Sequence, residues 1–307
     1  MKAAPLYWVV IFIICTRFPG PIPCRYLYAF VGCIRLFALH NQGMYITSKY
    51  IPREYLALKI NYCKKQLAEL PEVKLYNRRT GGNLDKTIIL NNHRYAVTSP
   101  IGTKLYKIFF LRDEIQRELK VYEALWDCYF KGIPLPECMP RKIKRTLAVD
   151  YNKRVIMDKA FFDSLKEDAN TKHQKSSNNS FNGINYRSAA EREIAIFYTE
   201  MGIPFKYEPE ITLIGVPYTI NPDFVLYIKE LDTCKFHEHL GIKRSADYIR
   251  DTKIKYGNYT SAGLIPDIDI LFTHDTDEVP FDIRYLIVKL NACIYGSLLS
   301  NNGTDHN

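Results

Sequence analysis

After Met44 the apolar positions fall into alternating helical and extended runs. Tyr55, Ile60, Cys63 and Leu67 recur at helical spacing through 51–70, and Pro71 stops the run, which predicts a helix there. Between 73 and 111 the pattern changes. VKLYNRRTGGN ends in a Gly-Gly turn, and KTIILNNHRYAVTS holds two β-rich runs around Asn91-Asn92, so a small antiparallel sheet is expected. A second helix is predicted over 113–129, with Ile115, Leu119, Tyr122 and Leu125 on one stripe. Residues 166–184 hold nothing large and apolar except Phe181 and Ile184, and read as a linker. From 185 onward the elements tighten. A helix over 187–201 ends at Gly202 and Pro204, and extended runs at 211–214 and 220–228 flank Gly215-Val216-Pro217. A strand at 235–240, a helix from Ser245 to Ala262, a strand at 268–272 and a helix at 282–294 complete the series. This α-β-β-β-α-β-α order predicts an α/β fold in which a small mixed sheet packs against helices, preceded by a helical and antiparallel β region.

The same breaks predict an apolar extension at 1–43, an amino-terminal region at 44–165, the linker, a carboxy-terminal domain at 185–298 and a disordered tail at 299–307. Within the extension, AAPLYWVVIFIIC follows a single Lys2. It suits the hydrophobic region of a signal peptide and is short for a membrane span of ~20 residues. The following TRFPGPIPC has no A-x-A site, and a second apolar run at 26–39 is interrupted by Arg35. Three readings stay open: an upstream extension of a protein that begins near Met44 and works in the cytoplasm, a signal or membrane anchor, or a packed part of the fold.

The composition, 47% apolar and 24% charged over 307 residues, excludes wholesale disorder, collagen and a coiled coil. Lys plus Arg number 42 against 33 for Asp plus Glu, and this formal charge of +9 permits a polyanionic partner. Arg141, Lys142, Lys144, Arg145, Lys153 and Arg154, interleaved with Leu147, Val149 and Tyr151, form either a phosphate-contacting strip or a solvated connector. No two of the eight cysteines are spaced C-x-x-C, which argues against a zinc ribbon and for reduced, buried thiols.

The candidate chemistry lies where polar groups interrupt an apolar pattern. In the helix over 187–201, Glu191 falls inside the stripe of Ile194, Phe197, Tyr198 and Met201; it is either partnered on a packed face or a first-turn acid favoured by the helix dipole. Asp223 follows Pro222 at an irregular strand start, since Pro removes a ladder donor. Glu238 shares a strand face with Phe236 and Leu240, where a charge is seldom left unpaired. On the next helix only Lys255 joins the stripe of Tyr248, Thr252, Tyr259 and Ala262, as a site lysine or one that snorkels beside the Tyr rings.

The series Glu191, Pro222-Asp223, Glu238 and a downstream Lys resembles the PD-(D/E)xK nuclease superfamily, whose core is an αβββαβ, restriction-endonuclease-like unit. Arg187-Ser188-x-x-Glu191, Tyr207-Glu208-Pro209, Pro222-Asp223-Phe224, Glu238-His239-x-Gly241 and Lys255-x-x-x-Tyr259-x-x-x-Gly263 are similar to a group of uncharacterised bacterial proteins near that superfamily, over 187–295. The superfamily's usual lysine position, two residues after the second acid, is Leu240 here. Resemblance to members whose lysine has moved to the next helix makes Lys255 its substitute. The resemblance implies a metal-dependent nuclease acting on nucleic acid, DNA favoured. Asp223, Glu238 and Glu191 would bind Mg²⁺ or Mn²⁺, and Lys255 would assist the chemistry, with His239, Tyr259 and Arg187 as possible substrate contacts. His239 is also open to an ordinary packing role, and Tyr248 and Tyr259 are expected mainly to pack. The alternatives are a nucleic-acid-binding protein of the same fold that does not cleave, and a membrane-anchored interaction protein.

Overall fold

A computed structural model describes residues 52–80, 83–136, 138–242, 246–276 and 278–299. The extension at 1–43 and the tail beyond 299 lie outside the described residues. Within the described residues no helix is long and apolar enough to cross a membrane.

Helix α1, Arg53–Glu69, leads into a three-stranded antiparallel sheet of β1, Lys74–Thr80, β2, Asn83–Leu90, and β3, His93–Ala96. Helix α2, Pro100–Tyr129, begins well before the expected 113. Pro at its first turn is pre-set for a helix, and the Ser99 hydroxyl caps it by accepting the Gly102 N–H at 3.0 Å. That Ser-Pro start carries the helix through 100–112, which the pattern left unassigned. A two-stranded ladder, β4, Thr146–Asp150, and β5, Lys153–Ile156, and the short helix α3, Lys159–Ser164, follow. Here the basic strip is partly spent on structure. Arg145 forks onto the buried Asp269, and Lys142 meets Asp232 at 3.0 Å.

The described residues fall in one compact unit, within which the segment 166–184 runs beside the site. Asp168 N donates to Tyr207 O at 2.8 Å, Ala169 N donates to Glu208 O at 3.1 Å, and β6, Ser180–Phe181, pairs with β7, Ile184–Asn185.

The expected α-β-β-β-α-β-α order is present with one strand exchanged. Helix α4, Ala189–Glu200, is followed by β8, Phe205–Tyr207, β9, Phe224–Ile228, and β10, Thr233–Ile242. Helix α5, Ala246–Ser261, β11, Ile270–Thr276, and α6, Ile283–Leu299, complete the chain. β9 pairs with β8, whereas the expected hairpin at 211–228 reduces to a single bridge, Ile211 with Ile220, before β9. The sheet order is β11-β10-β9-β8, with β10 and β11 parallel and the other pairs antiparallel. It is a mixed sheet.

Both faces of this sheet are covered. Phe224, Leu226 and Ile228 pack with α1, α4 and α6, while Val225, Tyr227, Cys234 and Phe236 pack with α3, α5 and β4. All five residues of β9 are therefore buried, and each large side chain so removed from water contributes ~1.5–3 kcal/mol. Cys63, Cys138, Cys234 and Cys293 are buried thiols, while Cys128 is exposed.

Helix α1 is fixed to the sheet by a buried ion pair. Lys59 Nζ lies 3.2 Å from Glu230 Oε1, both side chains are almost wholly buried, and the ammonium sits over the Tyr55 ring. Such a pair adds little net stability, but removing one partner strands the other charge. Glu230→Ala is expected to cost about 3–5 kcal/mol in chemical denaturation. The double substitution Lys59→Met with Glu230→Leu is expected to recover most of that loss.

Candidate functional site

The site forms at the end of the sheet where β9 begins. Pro222 has no N–H to offer the ladder, so Asp223 enters β9 with its carbonyl bound by Glu208 N at 3.0 Å. In the β9–β10 ladder Phe224 faces His237 and Val225 faces Phe236. Continuing that register sets Asp223 opposite Glu238 on one face of the sheet. Both are fully buried. Asp223 accepts the His239 N–H at 2.7 Å through Oδ2 and a hydrogen bond from the Glu238 carboxyl.

The stripe of α5 delivers the remaining partners. Lys255 Nζ contacts Glu238 Oε2, and the Tyr259 hydroxyl donates to Glu238 Oε1. Tyr259 is fully buried, and its hydroxyl is on Glu238. Lys255 is a third exposed and lines an open cleft of about 170 Å³ with Arg187, Asp223, His239, Leu240 and the α5 residues Tyr248, Asp251 and Thr252.

On the opposite wall Ser188 caps α4 by accepting the Glu191 N–H at 3.1 Å, which turns the Glu191 side chain inward. Glu191 takes the Tyr207 hydroxyl at 2.7 Å and the Arg187 backbone N–H at 3.1 Å. Arg187, just before the helix, reaches three acids: Nη2 lies 2.6 Å from Asp223 Oδ1 and 3.2 Å from Glu191 Oε1, and Nε lies 2.9 Å from Glu208 Oε1. Glu191, Asp223, Glu238, Lys255 and Arg187 are thus brought together. His239 reaches Asp223 through its backbone, while its ring bonds the Thr273 hydroxyl at 2.9 Å through Nδ1. His237, on the same sheet face, is a core residue bridging Tyr198 at 2.7 Å and Thr273 at 2.7 Å.

Two members had no assigned role in the sequence: Glu208, quoted only within the Tyr207-Glu208-Pro209 motif, and Lys175. Glu208 is buried, holds a positive φ of 41°, and is paired with Lys175 at 2.6 Å and bonded by Asn170 at 3.0 Å. Left-handed backbone at a non-glycine residue costs of order 1–3 kcal/mol and persists only where its surroundings enforce it. A visible signal existed, an acid between a strand tyrosine and Pro209. Lys175 had none, because its segment reads as a linker.

Burial and the charge of Asp223 push Glu238 up to about 8 despite Lys255. Burial works the same way on Asp223, but Lys255, Arg187 and the His239 N–H outweigh it and hold that carboxyl below its usual range. Glu191 is raised by burial and by Asp223. Lys255 is held charged because Glu238 and Asp223 outweigh its burial. Two facing carboxyls therefore share one negative charge at neutral pH, and their titration belongs to the pair. Among the described residues no group of three or more His, Cys, Asp or Glu is arranged to hold a metal ion. The guanidinium and the ammonium already sit against these carboxylates. The donor set nevertheless fits a hard cation, since it consists of carboxylate oxygens and the pair carries a proton that a cation would replace.

The pH dependence of stability follows from the signs. A raised Glu238 favours the fold below its ordinary pKa of 4.5, and that advantage is lost as pH rises through about 8. Glu238→Gln is expected to flatten the decline between those limits, with a difference of at most about 5 kcal/mol at pH 9 by chemical denaturation. Equal slopes for the two proteins would contradict the assignment. No family model matches the chain, and no curated protein or solved structure matches it.

Proposed function

We propose that the protein is a divalent-metal-dependent nuclease that hydrolyses phosphodiester bonds of nucleic acid, with DNA the favoured substrate. The observation that carries the reading is a cleft lined by Asp223, Lys255 and Arg187, with the buried Glu238 held directly behind it by Lys255. The α-β-β-β-α-β order and the mixed four-stranded sheet support a restriction-endonuclease-like core. The size of the cleft also bears on the substrate. At about 170 Å³ it falls below the ~300–1,000 Å³ of pockets that enclose small ligands, and it suits a chain that lays one backbone unit in the cleft and leaves the rest outside. The formal charge of +9 favours a polyanion.

Asp223 and Glu238 would hold the ion, with Glu191 beside them. Once bound, a hard divalent ion lowers the pKa of a coordinated water and stabilises negative charge on phosphate oxygens. The chain's own residues supply the rest. Lys255, kept protonated by the neighbouring acids, places a point charge where negative charge would develop. Tyr259 fixes the orientation of Glu238, and the His239 N–H fixes that of Asp223. Arg187 presents a planar fork to the cleft, suited to a phosphate.

Conversion of supercoiled plasmid to nicked circles tests this reading. Wild type is expected to nick with Mg²⁺ or Mn²⁺ and to stop on chelation. Asp223→Ala and Lys255→Met are each expected to lose at least ~10²-fold in rate, the scale of removing one group that stabilises transition-state charge. Binding of DNA without metal-dependent nicking would leave a nucleic-acid-binding protein of the same fold.

A further inference from the structure

Arg187 stands where one side chain meets acids from three places at once: the first turn of α4, the residue after β8, and the entry to β9. Those acids, Glu191, Glu208 and Asp223, are 4%, 1% and 1% exposed, so little water screens their repulsion. The guanidinium neutralises them as a bound cation would, and it bonds Asp223 Oδ1 and Glu191 Oε1, oxygens that a metal would need. Its hold is incomplete. Nε meets Glu208 as a charge contact yet has no hydrogen-bond partner among the described residues, and the side chain is 29% exposed along the cleft.

The carboxylates do not depend on Arg187 for their orientation. Glu208 keeps Lys175 and Asn170, Glu191 keeps the Tyr207 hydroxyl and a backbone N–H, and Asp223 keeps the His239 N–H. Withdrawal of the guanidinium would leave acids that are already aimed and short of positive charge.

We propose that Arg187 is a displaceable internal cation, which keeps Asp223 and Glu191 closed to a divalent ion until a phosphate of the bound strand draws the guanidinium away. The proposal rests on the phosphodiester reading above. An Arg fork bonds phosphate in two places at once, so the strand offers Arg187 a partner equal to the acids it leaves. Strand and ion then favour one another, and by linkage each raises the affinity of the other by the same factor.

Calorimetric titration of the full chain with Mn²⁺ tests the proposal. It is run with and without a short phosphorothioate duplex that resists cleavage, with the duplex alone as blank. The duplex is expected to tighten Mn²⁺ binding to wild type on the order of 10-fold, within the usual range of coupling between sites. Arg187→Met is expected to bind Mn²⁺ on the order of 10-fold tighter than wild type without the duplex, and to gain little when the duplex is added. Wild-type affinity indifferent to the duplex, or an Arg187→Met protein that binds Mn²⁺ no tighter, overturns the proposal and makes Arg187 a strut. The wild-type pair of titrations decides the matter if the variant does not fold. Coupling without plasmid nicking would sink the hydrolytic reading and leave the displaceable cation standing. Nicking without coupling would sink the displaceable cation alone.

Discussion

Two carboxyl groups cannot face each other inside a protein unless their charge is shared out. Opposite positions at the start of the β9–β10 ladder force Asp223 and Glu238 into that relation, and most of the polar structure nearby answers it. Burial and Asp223 push Glu238 up, an ammonium comes from α5, a guanidinium from the approach to α4, and a backbone N–H from His239. A second layer then balances the first. Glu191 and Glu208 flank Arg187, and Lys175 returns a positive charge to Glu208. The segment carrying Lys175 crosses the surface at this point for that reason, though it contributes almost nothing to the apolar core.

This arrangement works against the stability of the fold. Glu208 holds a left-handed backbone, and Asp223 enters its strand behind a proline that cannot donate. Lys59 and Glu230, by contrast, neutralise each other far from the cleft and bring no strain with them. The contrast separates an ion pair that fixes a helix from a cluster of unlike and like charges assembled at some cost. Clusters of the second kind are where perturbed titration marks candidate chemistry.

How far the sequence reveals this depends on the range of the interaction. Glu191, Glu238 and Lys255 were legible because each interrupts a local apolar period, and the covering of both sheet faces turns such interruptions into buried groups. The order of elements was legible for the same reason. The identity of the first strand was not. Phe205–Tyr207 is only three residues long, and the longer run at 211–214 looked more like a strand while making a single bridge. The start of α2 was missed because its first turns carry β-rich residues, although Ser99-Pro100 marked the cap. Glu208 and Lys175 lie in segments without periodicity, where no local rule speaks and only the fold brings them to Arg187.

The charge beside Leu240 comes from α5 and not from the strand. Leu240 and Lys255 line the same cleft, so a helix side chain supplies charge beside a strand position that carries none. Electrostatic stabilisation depends on where the ammonium lies and how little water surrounds it, not on which backbone holds it. A four-carbon stem anchored one helical turn from Tyr259 is well placed for this, because Tyr259 and Lys255 then grip the two oxygens of one carboxyl. The helix thereby positions the carboxyl as well as the ammonium. Both contacts depend on the packing of α5 against the sheet, and anything that loosens that helix loosens both groups together.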